Sequence, residues 1–126
     1  GYYAMADRAI VALMEQPPIS RLDIEVVDAP RGLRLLGDID SHTAPQLEDA
    51  LRALVTDSDV TVDVAKVGFI DSTGLRVLVA QHQRSDASGS RLVLANPSGA
   101  VSRLLEMTGL SGTLHTTDAS GSGAPA

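Results

Sequence analysis

The side chains best suited to carry out chemistry lie where a run of strand-forming residues, 67–70, gives way to a helical apolar pattern. The residues at this boundary are Asp71-Ser72-Thr73-Gly74. The pattern places the Ser72 hydroxyl at the N-terminus of a helix, where unpaired amide groups and the helix dipole favour negative charge. Ser72 therefore has three candidate roles: a nucleophile, a helix cap, or a residue that another enzyme modifies.

The sequence around Ser72 lacks the residues that usually accompany a nucleophilic serine. The nucleophile elbow of hydrolases needs a glycine two positions before the serine, and Ile70 stands there. A catalytic triad also needs a histidine beside the hydroxyl. The chain has His42, His82 and His115, but nothing in their spacing places one of them next to Ser72. His82 falls on the apolar stripe of a predicted helix, which indicates a half-buried structural ring.

Phosphate-binding and phosphoacceptor loops fit no better. Gly68 and Gly74 are separated by five residues where a phosphate-binding loop has four, and Leu75 occupies the lysine position. An aspartyl phosphate, as in response-regulator receivers, needs a lysine late in the chain. The single lysine, Lys66, precedes the turn instead. These patterns favour a protein that is not an enzyme and needs no cofactor.

Three carboxylates are expected near one end of the sheet, because Asp38 and Asp40 end one predicted strand and Asp71 ends another. Converging carboxylates could hold a hard cation such as Mg²⁺ or Ca²⁺. Residues of this kind more often form turns and helix caps, and we predict no metal site.

The remaining chemistry makes Ser72 a substrate. Unmodified, its hydroxyl can cap the helix, an interaction of about 1 kcal/mol. Phosphorylated, it would carry about −1.5 to −2 charges at pH 7. Because Asp71 is adjacent, and Asp38 and Asp40 are expected nearby, the local field would become strongly negative and repel an apolar or acidic partner. The turn could then act as an electrostatic switch with little movement of the fold.

The composition excludes several other classes of protein. The 126 residues suit one domain, and an apolar content of 44% is enough for a core. A net charge of −6 with scattered arginines argues against direct nucleic-acid binding. The absence of cysteine excludes disulfides and thiolate metal sites. No run is long enough for a transmembrane helix and no segment reads as a secretion signal, so we expect a cytoplasmic protein without membrane insertion.

Apolar patterns place these residues in an α/β domain. Period-two or β-branched segments predict strands at residues 22–26, 33–39, 60–65 and 91–95, with a last short strand at 114–117. Helical spacing predicts one helix from a capping box at residues 43–46 to about Thr56, a second from the Asp-Ser-Thr-Gly turn to about residue 85, and a third from an Asn96 cap to Gly109. This order predicts a mixed sheet covered by helices.

The domain is predicted to span residues 21–118. Residues 1–20 are expected to be peripheral, because Pro17 and Pro18 stop any helix before the first strand. Residues 119–126 form a small-residue tail that cannot bury enough surface to order itself, and we predict that it is flexible.

Five segments carry a wider pattern than the turn alone. They are Leu-Gly-Asp-Ile-Asp at 36–40, Thr-Ala-Pro-Gln-Leu at 43–47, Phe-Ile-Asp-Ser-Thr-Gly-Leu at 69–75, Asn-Pro-Ser at 96–98 and Leu-Leu-Glu-Met-Thr-Gly-Leu at 104–110. Together, and in this order across most of residues 22–118, they resemble the STAS domain of bacterial anti-sigma factor antagonists.

The resemblance implies a STAS fold, with a mixed sheet of four to five strands and helices packed mainly on one face. It also implies partner switching. The unmodified antagonist binds an anti-sigma factor that is itself a serine kinase, and so frees a sigma factor. Phosphorylation of the antagonist by that kinase ends the complex, and a serine phosphatase of the PP2C type resets the cycle.

By motif match, the resemblance assigns the phosphoacceptor to Ser72. The partner-binding residues that it implies are Asp38, Asp40, Asp71, Thr73, Gly74 and Leu75. Thr73 stands where a second serine is common, which makes it a minor rival acceptor. Asp38 replaces a usual glutamate.

Two other functions are compatible with a STAS domain. One is a subunit of a lipid or anion transport system, which would contact a membrane ATPase or permease. The other is an antagonist that binds its partner but is never phosphorylated. The serine in the turn favours the phosphorylated antagonist, since transport STAS domains need no such residue.

Overall fold

The computed structural model of the protein describes residues 20–54 and 58–118, so the expectations for residues 1–19 and for the tail at 119–126 lie outside the described residues. Within these ranges the strands are β1 (Leu22–Asp28), β2 (Arg31–Ile39), β3 (Val60–Ile70), β4 (Leu92–Ala95) and β5 (His115–Thr117). The helices are α1 (Ala44–Arg52), α2 (Ser72–Ala87) and α3 (Gly99–Thr108).

The strands of the described residues form one five-stranded sheet in the order β1-β2-β3-β4-β5. β1 and β2 make an antiparallel hairpin, and every later pair of neighbours is parallel. Each parallel connection moves one strand in the same direction, and such crossovers are right-handed, so the helices pack mainly on one face of the sheet. The predicted α/β fold with a mixed sheet is confirmed.

The core lies between the sheet and the helices and consists of aliphatic side chains. Alternate residues of β3, namely Val60, Val62 and Val64, are fully buried, as the period-two pattern predicts. Leu47 of α1 and Leu78 of α2 are equally buried against this layer. Aromatic residues make up only 2% of the sequence, which is why branched aliphatic side chains supply the packing.

Some element bounds differ from those predicted: β1 continues to Asp28 and α2 to Ala87. The predicted strand at residues 60–65 and the strand-forming run at 67–70 form one strand, β3, whose later part still pairs with β2, up to the pair Ile39 and Ile70. α1 ends at Arg52 with Ala53 as its C-cap, instead of near Thr56, which lies outside the described residues.

The capping box predicted at residues 43–46 is wrong. Thr43 is the N-cap of α1, but its hydroxyl donates to the Asp38 carbonyl oxygen (2.7 Å) and accepts from the Asp40 amide (3.1 Å). The Gln46 side-chain amide donates to the Leu22 carbonyl oxygen at 2.8 Å. Both side chains therefore tie α1 to the strands, and these tertiary partners replace the local capping bonds.

The cap predicted for α3 is also displaced. Asn96 is not the N-cap; it has a φ of 54° and turns the chain after β4. The N-cap is Ser98, whose hydroxyl oxygen accepts from the Val101 amide at 3.3 Å. The same hydroxyl donates to the Val67 carbonyl oxygen at 2.6 Å, which binds the start of α3 to the side of β3.

Candidate functional site

The turns that follow β2 and β3 lie side by side at one edge of the sheet. Ile39 and Ile70 are register partners at the ends of these parallel strands. The Asp71 amide donates to the Ile39 carbonyl oxygen at 3.1 Å, so the pairing continues into the turn. Asp40 and Asp71 therefore leave neighbouring strands at the same edge, as the sequence predicts.

α2 is capped by Asp71 rather than by Ser72. Asp71 has an extended backbone, and its Oδ1 accepts from the amides of Thr73 (2.9 Å) and Gly74 (3.1 Å). Ser72 is the first helical residue, and its exposed hydroxyl has no hydrogen-bond partner among the described residues. The predicted capping role of Ser72 is wrong, because the carboxylate one position earlier takes the amides that a cap would bind.

Replacing Asp71, the cap of α2, should lower the free energy of unfolding more than replacing Ser72. We expect Asp71→Ala to lower the free energy of unfolding by about 1 kcal/mol, because two amides of α2 lose their acceptor. Asp71→Asn keeps an acceptor oxygen and should stay close to wild type. Ser72→Ala, the matched neighbour, should lie within about 0.5 kcal/mol of wild type. Urea unfolding measures all three, and an equal loss for Asp71→Ala and Ser72→Ala would contradict the assignment.

Gly74 and Leu75 hold the turn against the sheet. Both are buried, and a Cβ added to Gly74 would lie 2.6 Å from Ile39 Cγ2. The resemblance implies both as partner-binding residues, which stays a prediction; in the described fold their burial holds the turn in place. The outer surface of the turn is formed by exposed Ser72 and by half-buried Asp71 and Thr73.

Asp40 organises the adjacent turn before α1. Its carboxylate accepts from the amides of His42 (2.9 Å) and Thr43 (3.2 Å) and from the Ser20 hydroxyl. The Ser20 hydrogen bond is the largest of the influences that lower the pKa of Asp40 below its ordinary value of 3.8, with the two amides adding to it. Asp40 therefore stays ionised in this turn at neutral pH.

This lowered pKa has a measurable consequence. A carboxyl whose pKa is lower in the folded than in the unfolded chain stabilises the fold above the unfolded pKa, and that contribution is lost as pH falls through the folded pKa. We expect NMR titration to place the pKa of Asp40 below 3.8. Ser20→Ala should move it back towards that value, because the hydroxyl donor is lost. An unchanged pKa in Ser20→Ala would show that Ser20 is not the main cause.

The three carboxylates at this edge have separate partners. Asp71 caps α2, Asp40 binds its own turn, and half-buried Asp38 pairs in register with Phe69 and lies beside Gly68. Across residues 20–54 and 58–118, no group of three or more His, Cys, Asp or Glu side chains is arranged to hold a metal ion. The convergence considered from the sequence is therefore not found in the described residues.

The histidines do not form hydrogen bonds with Ser72 in the part of the chain that the structure describes. His82 is half-buried on α2, as its place on the apolar stripe predicts, and its ring contacts that of His115 on β5 with the centroids 5.7 Å apart. The His42 side chain is exposed in the turn before α1. The structure therefore brings no described histidine to Ser72 as a general base.

Sequence reasoning missed an apolar groove beside the turn. Phe69, at the end of β3, is 50% exposed, and Met107 of α3 is 75% exposed. The groove between these elements also contains Arg103 and Leu104. The signal available in the sequence was Met107, which continues the helical apolar spacing beyond Leu104, which itself packs against the core.

The described helices reach at most 16 residues, and none of them combines the length and apolar content that a bilayer span requires.

Comparisons with known proteins agree with this geometry. Residues 22–116 match the family model described as Mlab, STAS domain. An anti-sigma-B factor antagonist of Listeria monocytogenes is 38% identical over 77 residues, which cover 60% of this chain and 68% of the relative. The crystal structure of an anti-sigma factor antagonist from Mycobacterium paratuberculosis is 29% identical with a TM-score of 0.66, over 81% of this chain and 88% of that chain.

A further solved structure shares the fold. It is the Bacillus cell fate determinant SpoIIAA in its phosphorylated form, with a TM-score of 0.57 at 22% identity, over 76% of this chain and 90% of that chain. The family model covers every strand and helix except the last residue of β5. The chain therefore belongs to the family of STAS-domain anti-sigma factor antagonists.

Proposed function

We propose that the protein binds an anti-sigma factor that is also a serine kinase, and that this binding frees a sigma factor. Phosphorylation of Ser72 by the kinase ends the complex, and a PP2C-type serine phosphatase restores the unmodified protein. The protein itself acts by binding and not by catalysis. The cycle would run in the cytoplasm, where sigma factors act.

The observation that carries the proposal is the state of the Ser72 hydroxyl. It is exposed at the first position of α2, and the cap is supplied by Asp71. A kinase can therefore reach the hydroxyl without breaking a hydrogen bond of the described fold. Thr73 is half-buried and one position further into the helix, which makes it the poorer acceptor.

The electrostatics of the turn support a switch that acts on the partner. The amides of Thr73 and Gly74 are taken by the Asp71 side chain, and the amide of Leu75 donates to the Asp71 carbonyl oxygen (3.0 Å). The sequence alone suggested that the first amides of this helix are free to bind a phosphate on Ser72. In the structure these three amides are already hydrogen-bonded to Asp71. The phosphate charge of about −1.5 to −2 would add to the Asp71 carboxylate and face the partner.

The relatives support the function of an anti-sigma factor antagonist. The Listeria protein carries the name of an anti-sigma-B factor antagonist. The phosphorylated SpoIIAA structure means that, in that protein, this fold exists in a phosphorylated form.

Mass spectrometry tests the proposal directly. Incubation with MgATP and the anti-sigma factor kinase of the same organism should add one phosphate, located on Ser72 by peptide fragmentation. Ser72→Ala should remain unmodified, and Thr73→Val, the matched control, should be modified as wild type. A phosphate on Thr73 in the wild-type chain, with none on Ser72, would overturn the assignment.

Co-purification distinguishes this proposal from the transport alternative. The tagged protein should recover an anti-sigma factor kinase from its own cells, and a Ser72→Ala variant should recover more of it, because the complex is no longer ended by phosphorylation. Recovery of a permease or a transport ATPase in place of the kinase would favour a transport subunit.

A further inference from the structure

Among the described residues, the second half of β3 has a strand on one side only. β4 pairs with the first part of β3, from Val60 to Asp63, whereas β2 follows β3 to Ile70. The chain after β4 crosses to α3, and the Ser98 hydroxyl fastens the start of that helix to the Val67 carbonyl oxygen at 2.6 Å. α3 therefore lies beside the part of β3 that leads directly into the Ser72 turn.

α3 carries a second apolar stripe on this side. Its core face consists of Val101 and Leu105, which are buried. Ala100, Arg103, Leu104 and Met107 follow the i, i+3, i+4, i+7 spacing of one helix face, and they line a groove of about 270 Å³ opposite residues 68–70 of β3. Leu104 also packs against the core, whereas Met107 is 75% exposed, so this stripe extends the apolar face of α3 beyond the core.

Two of the three exposed large apolar side chains in residues 20–54 and 58–118 line the groove. They are Phe69 and Met107, one on each wall, and the third is Val26 on the edge strand β1. Single exposed apolar residues need no explanation, but adjacent ones on a groove indicate an interaction surface.

We propose that this groove is where the anti-sigma factor kinase docks, by inserting an apolar side chain between Phe69 and Met107 with a carboxylate beside it for Arg103. The proposal rests on the proposed function, because it takes the kinase as the protein that reaches Ser72. It adds which surface of this protein holds the kinase and which types of side chain the kinase places there.

The size of a protein interface supports this occupant. A specific interface covers about 800 Å² on each partner, which is a disc of roughly 16 Å radius. Phe69 precedes Ser72 by three residues, a span of at most about 10 Å even in a fully extended chain. An interface of this size centred on Ser72 is therefore wide enough to reach the groove.

The charge of the groove supports an acidic group beside the apolar one. Arg103 is exposed and belongs to neither of the ion pairs found among the described residues, Glu25 with Arg34 and Glu48 with Arg52. Arginine, methionine and aromatic residues are enriched at protein interfaces, and arginine is one of the residue types that most often dominate the binding energy. Phe69, Arg103 and Met107 are a small cluster of these three types.

Binding to the purified kinase, measured by calorimetry with unphosphorylated protein, tests the groove. Met107→Ala and Phe69→Ala should each raise Kd on the order of tenfold, as truncation of a central anchor does. Arg103→Glu should raise Kd by a similar factor and should also slow association, because it reverses the charge presented to the partner. Val26→Ala is the matched control: an exposed apolar residue away from the groove, expected to bind as wild type.

The outcomes distinguish a failure of the docking groove from a failure of the proposed phosphorylation switch at Ser72. Met107 is so exposed that its truncation should leave the urea midpoint unchanged, so a loss of affinity in Met107→Ala supports docking even if Phe69→Ala is less stable. Wild-type affinity in Met107→Ala and Arg103→Glu, with Ser72 still phosphorylated, would overturn the groove and leave the proposed function standing. A wild-type chain that neither binds the kinase nor is phosphorylated by it would overturn both.

Discussion

We expect Ser72→Glu to weaken the complex with the anti-sigma factor kinase by about 1–3 kcal/mol, roughly a 5- to 150-fold increase in Kd, and Ser72→Gln to weaken it much less. The two side chains have nearly the same size and shape and differ in one negative charge. That charge would stand beside the Asp71 carboxylate, whose Oδ1 is already bound to the first turn of α2. Calorimetric titration of the kinase with each variant gives the difference.

Loss of folding should not account for this effect. Ser72 is exposed at the first position of α2, where an acidic residue is favoured by the helix dipole by a few tenths of a kcal/mol. Urea midpoints of the two variants should therefore agree closely. Equal affinity of Ser72→Glu and Ser72→Gln would rule out charge as the basis of the switch, and a loss in both would indicate that the kinase needs the small hydroxyl itself.

The second large effect is expected at Gly74. A Cβ at this position would lie 2.6 Å from Ile39 Cγ2 and 2.9 Å from the Ile39 carbonyl oxygen, so the start of α2 would have to move away from β2. We expect Gly74→Ala to lower the free energy of unfolding by about 1–3 kcal/mol, as overpacking does. Urea unfolding monitored by circular dichroism measures it.

The chain offers a matched control for this substitution in Gly99, the first helical residue of α3. A Cβ there would meet nothing within 4 Å. Gly99→Ala should therefore be neutral or stabilising by up to about 1 kcal/mol, because alanine restricts the unfolded chain and favours the helix. If Gly74→Ala were as stable as Gly99→Ala, the close packing of α2 on Ile39 would not be a constraint on this fold.

Gly74→Ala should also affect the site. Because Gly74 sets the distance between α2 and β2, a displaced helix would move the Ser72 hydroxyl relative to the rest of the docking surface. We therefore expect slower phosphorylation of Gly74→Ala at temperatures where it remains folded, and no change for Gly99→Ala. The rate of phosphate incorporation under MgATP distinguishes them.

The order and type of the secondary structure elements could be predicted from the sequence. The β-branched alternation of β3 and the apolar spacing of α2 are local signals, because period two and period 3.6 follow from backbone geometry alone. Gly109 is a further example. The sequence predicts that α3 ends at Gly109, and Gly109 is its C-cap, in the left-handed conformation with a φ of 76°.

The helix caps were predicted less well, for a physical reason. Several side chains near each helix start can accept a hydrogen bond from an amide, and the choice among them depends on neighbouring strands. Asp71 caps α2 because the pairing of Ile39 with Ile70 continues into the turn and sets where the helix begins. Thr43 and Gln46 instead bind backbone groups of the strands, which no local pattern reveals.

The sequence by itself determined that Ser72 stands where a strand meets a helix, since that depends only on residues within a few positions of it. Tertiary structure decided that the Ser72 hydroxyl is exposed and makes no hydrogen bond with the described residues, and that Gly74 and Leu75 are buried. It also decided that Phe69 and Met107 line one groove, although they are far apart in the chain. Their proximity depends on α3 lying beside the half of β3 that pairs with β2 but not with β4, which is a property of the whole sheet.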